Sequence, residues 1–223
     1  MSQDQATREE YRIDRLRRKC GYGAGRGEGM PLRVSHLVTA CHAGEDGIAW
    51  LWCEWRHWRE GSHDGRIIDW GCESGPRRLW RAIDESCGGT ALDLVGLGAG
   101  LDAMDGCRAG SVWRMVPVTG WNAPIFETAA SGGQTVKVGL DVARSAVNGG
   151  MSLGTIRVPE NADDELWAQL SGEELRHYTV ARSGRRIGFQ WVPVRDNTTA
   201  FHLLAFSHAL SRMAASQAAG CQS

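Results

Sequence analysis

Nowhere does the sequence carry an apolar run approaching the about 18–20 residues that a membrane-spanning helix requires, so no such helix is expected. Its opening stretch, Met1 to Lys19, is charged and has no apolar core of the kind a secretory signal needs. These two absences point to a cytosolic protein. No pair among the seven cysteines, at positions 20, 41, 53, 72, 87, 107 and 221, has C-x-x-C spacing, which argues against zinc-ribbon and thioredoxin-like chemistry. Cys41, His42, Cys53 and His57 were the one combination to weigh as a zinc site. Neighbours on a strand point to opposite faces, however, so Cys41 and His42 are badly placed to share a metal. Reduced, buried thiols acting as small hydrophobes are the expectation. A G-x-x-x-x-G-K-[ST] loop is absent as well, so ATP-driven work is expected to come from another chain.

Lysine is almost missing: of 25 basic residues, all but Lys19 and Lys137 are arginine. A GC-rich genome explains such a bias, although arginine also suits bidentate phosphate contacts better than lysine. The net charge is −1, so no global basic field advertises a nucleic-acid partner. Ten tryptophans stand out. Trp50, Trp52 and Trp80 have core-like spacing. Trp55, Trp58 and Trp70 flank charged turns, where exposed rings beside arginines suit single-strand stacking or a protein interface.

At 223 residues the chain suffices for one well-packed domain. Residues 1–30 read as a short charged helix and a linker with five glycines in Gly21 to Met30, loosely attached to a domain over 31–216, with a tail at 217–223. Two strands, LRVSHLVTA and GIAWLWCEW, are joined by the short polar HAGEDG and should form an antiparallel hairpin. In the second strand Ile48, Trp50 and Trp52 share one face while Ala49, Leu51, Cys53 and Trp55 share the other. Both faces are apolar, as a sheet covered on both sides demands. GRIIDW follows as a third strand, then a helix in GPRRLWRAIDES, a strand in TALDLVGL, a weak helix in LDAMDGCRA and a strand in SVWRMVPV. TVKVGLD leads into a helix, GTIRVP is extended, and DDELWAQLSGEELRHY reads as mainly helical. TVARSGRRIGFQWVP reads as a hairpin turning at Ser183-Gly184. A closing helix from about Asn197 to Ala215 is capped by Asn197 or Thr198, with Leu203, Phe206, Leu210 and Met213 inward. The order predicts an α/β fold, an RNase H-like mixed sheet flanked by helices.

VGLDVARSAVNGG, GTIRVPENADDELWAQLSGEEL, RRIGFQW and RDNTTAFHLLAFSHAL together resemble the closing run of lambdoid, GpA-type phage terminase large subunits. That family has a G-x-D-x-A-K segment, a G-x-[IV]-H-F-P-like strand, a Q-L-[TS]-x-E-E stretch and an R-N-E-A-L-D start to its last helix. The upstream half fits in the same order, so the resemblance spans roughly residues 32–215. It implies the nuclease half of such a subunit, an RNase H-like, metal-dependent endonuclease that cuts concatemeric viral DNA. It also implies double-stranded DNA, a separate ATPase, a portal and a small terminase subunit as partners, in the host cytoplasm or on the virion.

Two-metal nucleases gather carboxylates because Mg²⁺ and Mn²⁺ prefer oxygen ligands. The resemblance implies three acids, and this chain places His42, Leu97 and either Phe201 or His202 at the matching positions. The expectation is a pseudoenzyme with no cofactor. The alternative is an active endonuclease whose Mg²⁺ or Mn²⁺ ligands have moved to Glu45, Asp46, Asp93, Asp102, Asp141 or Asp196, and a decayed prophage fragment is a third reading. Asp141 and Arg144 match the family's Asp and Lys, with Asp141 capping its helix and Arg144 either solvated or on DNA phosphate. Arg182, Arg185 and Arg186 are further phosphate-contact candidates, or simply a charged turn.

Overall fold

The computed structural model describes residues 3–22, 36–57, 63–87, 92–98, 101, 109–129, 134–179 and 186–220. In chain order the elements are α1 (Gln3–Cys20), β1 (Gly21–Tyr22), β2 (His36–Gly44), β3 (Gly47–His57), β4 (His63–Glu73), α2 (Pro76–Cys87), β5 (Leu92–Leu97) and β6 (Ala109–Val118). There follow β7 (Phe126–Thr128), β8 (Thr135–Gly139), α3 (Leu140–Leu153), β9 (Ile156–Pro159), α4 (Asp164–Leu170), β10 (Glu173–Thr179), β11 (Arg186–Pro193) and α5 (Thr199–Gly220). Nine strands form one sheet in the order β1-β9-β4-β3-β2-β5-β6-β8-β7. The β2–β3–β4 run is antiparallel, and β5, β6 and β8 then continue parallel from β2. Three antiparallel strands extended by parallel ones beside the first make this an α/β, RNase H-like mixed sheet. No described helix is long and apolar enough to cross a membrane.

The two-faced pattern of β3 holds as read. Leu51, Cys53 and Trp55 join a core beneath α5, α3 and α4, while Ile48, Trp50 and Trp52 join a second core beneath α2 with Leu79, Trp80 and Ile83. Glycines opposite the large rings make room for them. Gly65 and Gly71 on β4 pair with Trp55 and Trp50, and a Cβ at Gly65 would stand 2.4 Å from the Trp55 ring. Trp55 is therefore fully buried, its indole N–H donating to Ser207 Oγ at 2.7 Å, rather than partly exposed as its charged flank suggested. Trp70 is half-buried, and Trp58 lies outside the described residues.

Three other expectations change. Over residues 3–22 the leader is docked, not loose: Cys20 is buried, Ile13 and Leu16 pack on the core, and β1 pairs with β9. Arg12 bonds Glu174, Arg17 bonds Asp164, and the Arg17 guanidinium stands 5.5 Å from the Trp167 ring centroid. The amphipathic stripe of α1 finds an apolar groove, which charge content alone does not disclose. GEELRHYT is a strand, not helix. Helix α4 ends at Leu170 with Ser171 as its C-cap, and Gly172, where any Cβ would meet Arg195 and Thr198 at 2.9 Å, leads into β10. Strand β7, read as loop, pairs antiparallel with β8. Most of the weak helix expected in LDAMDGCRA falls outside the described residues. Leu16→Ala should cost about 2 kcal/mol in urea unfolding, as a partly buried leucine truncation, and exposed Tyr11→Ala almost nothing.

Four histidines meet at the far end of the β2–β3–β4 hairpins. Ring centroids lie 5.9 Å apart for His36–His57, 6.3 Å for His57–His63 and 4.2 Å for His63–His208. His208, on α5, is fully buried, with Trp55 at 5.1 Å and no hydrogen-bond partner among the described residues on either ring nitrogen. Burial, reinforced by the neighbouring imidazoles and Arg212, holds His208 well below the ordinary imidazole range and His57 at about 4. Burial likewise lowers His63 and His36, opposed by Asp64 and Asp93 respectively. Folded pKa values below the unfolded 6.5 mean that the unfolded chain binds protons first. This stability is complete above pH 6.5 and disappears as pH falls toward 4. Melting temperature should drop between pH 7 and pH 4.5, and the drop should be smaller in His208→Phe and His63→Gln.

Candidate functional site

Strands β2 and β5 run parallel and end together, with Gly98 N–H donating to Cys41 O at 2.7 Å. Helix α5 starts across this end of the sheet, with Asn197 Oδ1 accepting from Thr199 N–H at 3.1 Å, so Asn197 is the capping side chain. The three positions matched to family acids separate here. His42 lies on the α5 side of β2 and faces His202; burial first, and then the charge of His202, lower its pKa. Leu97 points the other way and is buried with the α2 core. The residue that turns toward His42 is Gly98, where a Cβ would stand 3.0 Å from His42 Nδ1. One residue of strand alternation separates the two. Phe201 is buried against Trp191 at a 5.5 Å centroid separation, so His202 is the α5 residue that faces the site.

His202 does not act alone. Its Nε2 lies 2.7 Å from Glu173 Oε1, which also accepts from Thr198 Oγ1 at 3.1 Å and from Arg144 at 3.2 Å. Arg144 Nε stands 3.2 Å from the other Glu173 oxygen, and Arg144 also contacts His202 Nε2. The Glu173 side chain is 3% exposed and that of Arg144 12%. Burial raises the Glu173 pKa, but hydrogen bonds from His202 and Thr198 and the charges of Arg144 and His202 outweigh it, leaving the carboxyl below its usual value. Arg144 is thus largely buried rather than solvated, its guanidinium paired with Glu173 and 3.9 Å from Asp141. Asp141 sits in the first turn of α3, whose cap is Gly139. Instead of capping, Asp141 Oδ2 accepts from Gly120 N–H at 2.7 Å, and its main-chain carbonyl accepts from Trp191 Nε1 at 3.3 Å.

Beside His42 opens a cavity of about 740 Å³ lined by Glu45, Asp46, Glu73, Asp163, Glu165 and Asp196, with no lysine or arginine among the described residues of its wall, although Arg195 pairs with Glu165 at 3.2 Å. Asp163 is occupied, capping α4 through Leu166 N–H at 2.7 Å and accepting from Trp70 Nε1 at 3.0 Å. Three of the substitute acids, Glu45, Asp46 and Asp196, therefore share one cavity. Asp93 does not join them: it is exposed on β5 and acts on His36 at the other end of the strand. Asp102, Arg182 and Arg185 lie outside the described residues, and Arg186 opens β11.

Among the described residues no three His, Cys, Asp or Glu side chains are placed to hold a metal ion. His42, Leu97 and Phe201 or His202 supply no side-chain oxygen ligand, and Glu173 is committed to Arg144, so the matched positions do not fit a pair of hard divalent cations. Glu173 is the residue that sequence reasoning missed. It lay in the quoted Q-L-S-G-E-E stretch, but a helical reading there hid its approach to α5.

No family model, curated protein or solved structure matches this chain. Its class follows from topology: an RNase H-like α/β domain whose strand-end corner holds a charge-compensated Glu173–Arg144–His202 network. Glu173→Ala should cost about 3 kcal/mol, because it leaves the largely buried Arg144 charge with only Asp141, 3.9 Å away, as an acidic partner. The pair Glu173→Leu with Arg144→Met should recover most of that loss, measured by urea unfolding as a double-mutant cycle.

Proposed function

We propose that this chain is a non-catalytic RNase H-like module related to the nuclease half of phage terminase large subunits, serving viral DNA packaging as a binding or structural component. Its surroundings would be the host cytoplasm or the virion. Its partners would be double-stranded DNA and packaging proteins such as an ATPase, portal or small terminase subunit. The observation that carries the non-catalytic reading is the Glu173–Arg144–His202 network. Where a two-metal nuclease concentrates uncompensated carboxylate charge, this corner pairs its buried carboxylate with a guanidinium and an imidazole. The packaging link rests on the sequence resemblance. In support, its segments fall at element junctions: GLDVAR spans the β8–α3 turn, GTIRVP leads into β9, and RDNTTAF opens α5.

A second reading, an active endonuclease with relocated ligands, is favoured by the gathering of Glu45, Asp46 and Asp196 with His42 around one acidic cavity. Metal binding separates the two. Purified protein is expected to leave supercoiled plasmid intact with Mg²⁺ or Mn²⁺, and its melting temperature should not rise with Mn²⁺. A saturable Mn²⁺ stabilisation, with chelator-sensitive nicking lost in Asp46→Asn or Asp196→Asn, would establish the enzyme instead.

A further inference from the structure

Helix α5 is anchored unequally along its length. Its start is fastened by the Asn197 cap, by the bond of His202 to Glu173, and by Gln169 Oε1, which accepts from Ala200 N–H at 2.9 Å. Its second half rests on the sheet through packing. Ala209, Leu210 and Met213 are fully buried in the larger core, Ala214 and Ala215 are half-buried, and residues 216–218 are exposed. The strands beneath are tied more firmly, because β3 pairs along its whole length with both β2 and β4, out to His36–Trp55 and His57–His63.

The imidazole cluster sits under that second half, with rings contributed by β2, β3, β4 and α5. Both ring nitrogens of His208 and Nε2 of His63 have no hydrogen-bond partner among the described residues, and the two ring centroids are 4.2 Å apart. Arg212, one turn further along α5, acts on His208, His63 and His57, while Asp64 acts on His63 and Asp93 on His36. The charges acting on His208 are those of His63, Arg212 and His57, all of one sign. A proton placed on His208 in the closed structure is therefore a buried cation among cations. It reaches water only if an element moves, and the element without a backbone ladder to the sheet is α5.

We propose that this cluster is an acid-operated latch: near pH 5 helix α5 opens from Ser207 to its end, baring the face of β3 that carries Trp55, while its start stays closed on Glu173. Uneven anchoring makes the opening local rather than global. The Glu173 carboxyl, held below its usual value by His202, Arg144 and Thr198, keeps its ion pair at that pH. Burial lowers the His208 pKa in the closed state, and opening returns it to the ordinary 6.5. Going from pH 7 to pH 5 then multiplies the open fraction roughly 25-fold through this histidine alone.

Hydrogen exchange read by mass spectrometry at pH 7 and pH 5, with times scaled for intrinsic exchange, tests the latch. Peptides over residues 208–218 should lose protection about tenfold or more at pH 5. Those over α2, packed in the other core, should keep theirs. His208→Phe retains a packed ring without an ionisable group and should remove most of the loss. His63→Gln, at a less buried position, should reduce it and serves if His208→Phe does not fold. Loss shared equally by α2, no loss at pH 5, or an undiminished loss in the folded variants would each overturn the latch.

Discussion

Helix α5 has no solvent-facing side between Leu203 and Ser211; every residue in that stretch is buried, enclosed by β2, β3 and β5 on one side and by α3 and α4 on the other. A helix apolar all round is stable only when surrounded, so α3, α4 and the sheet must be in place before α5 can hold its position. The rest of the molecule hangs on this enclosure. Leu203, Leu204, Leu210 and Met213 fill the larger core. His202, near the helix start, is brought to Glu173 and faces His42. His208, two turns later, is driven among the histidines at the opposite end of the strands.

Polar groups inside such a helix must be satisfied or neutral, and α5 uses both solutions. Ser207 accepts from Trp55, and Ser211 donates to His208 O at 2.8 Å. His202 shares Glu173 with Arg144, a compensated ionic arrangement. His208 has no hydrogen-bond partner among the described residues on its ring nitrogens, and burial holds its pKa well below the ordinary imidazole range. The same element therefore carries one charged corner near its start and one neutral cluster near its middle. They respond to acid in the same direction for opposite reasons: a carboxylate loses its ion pair, whereas an imidazole gains an unpaired charge.

Charge is divided in space although the chain as a whole is nearly neutral. The acidic cavity gathers six carboxylates, of which Glu165 is paired with Arg195 and Asp163 caps α4, while Arg182, Arg185 and Arg186 cluster in another stretch of sequence. Glu173, at the start of β10, has its charge cancelled locally.

The alternation in GIAWLWCEW was legible because period-two burial is a local property, and it gave both faces of β3 and, with them, a sheet covered twice. The closing helix, its Asn197 cap and the β2–β3 hairpin were legible for the same reason. Tertiary structure alone decided the rest. Whether Leu97 or Gly98 faces His42 depends on one residue of strand phase. Whether GEELRHYT forms helix or strand depends on a partner strand that local propensity does not contain, with Gly172 the only nearby signal. Arg144 looked available for phosphate until Glu173, 29 residues away, came within 3.2 Å of it. Residue types and their periodicity determined the layers of this protein; which charges survive to meet a ligand was decided only when distant elements packed, because pairing depends on proximity that sequence spacing does not encode.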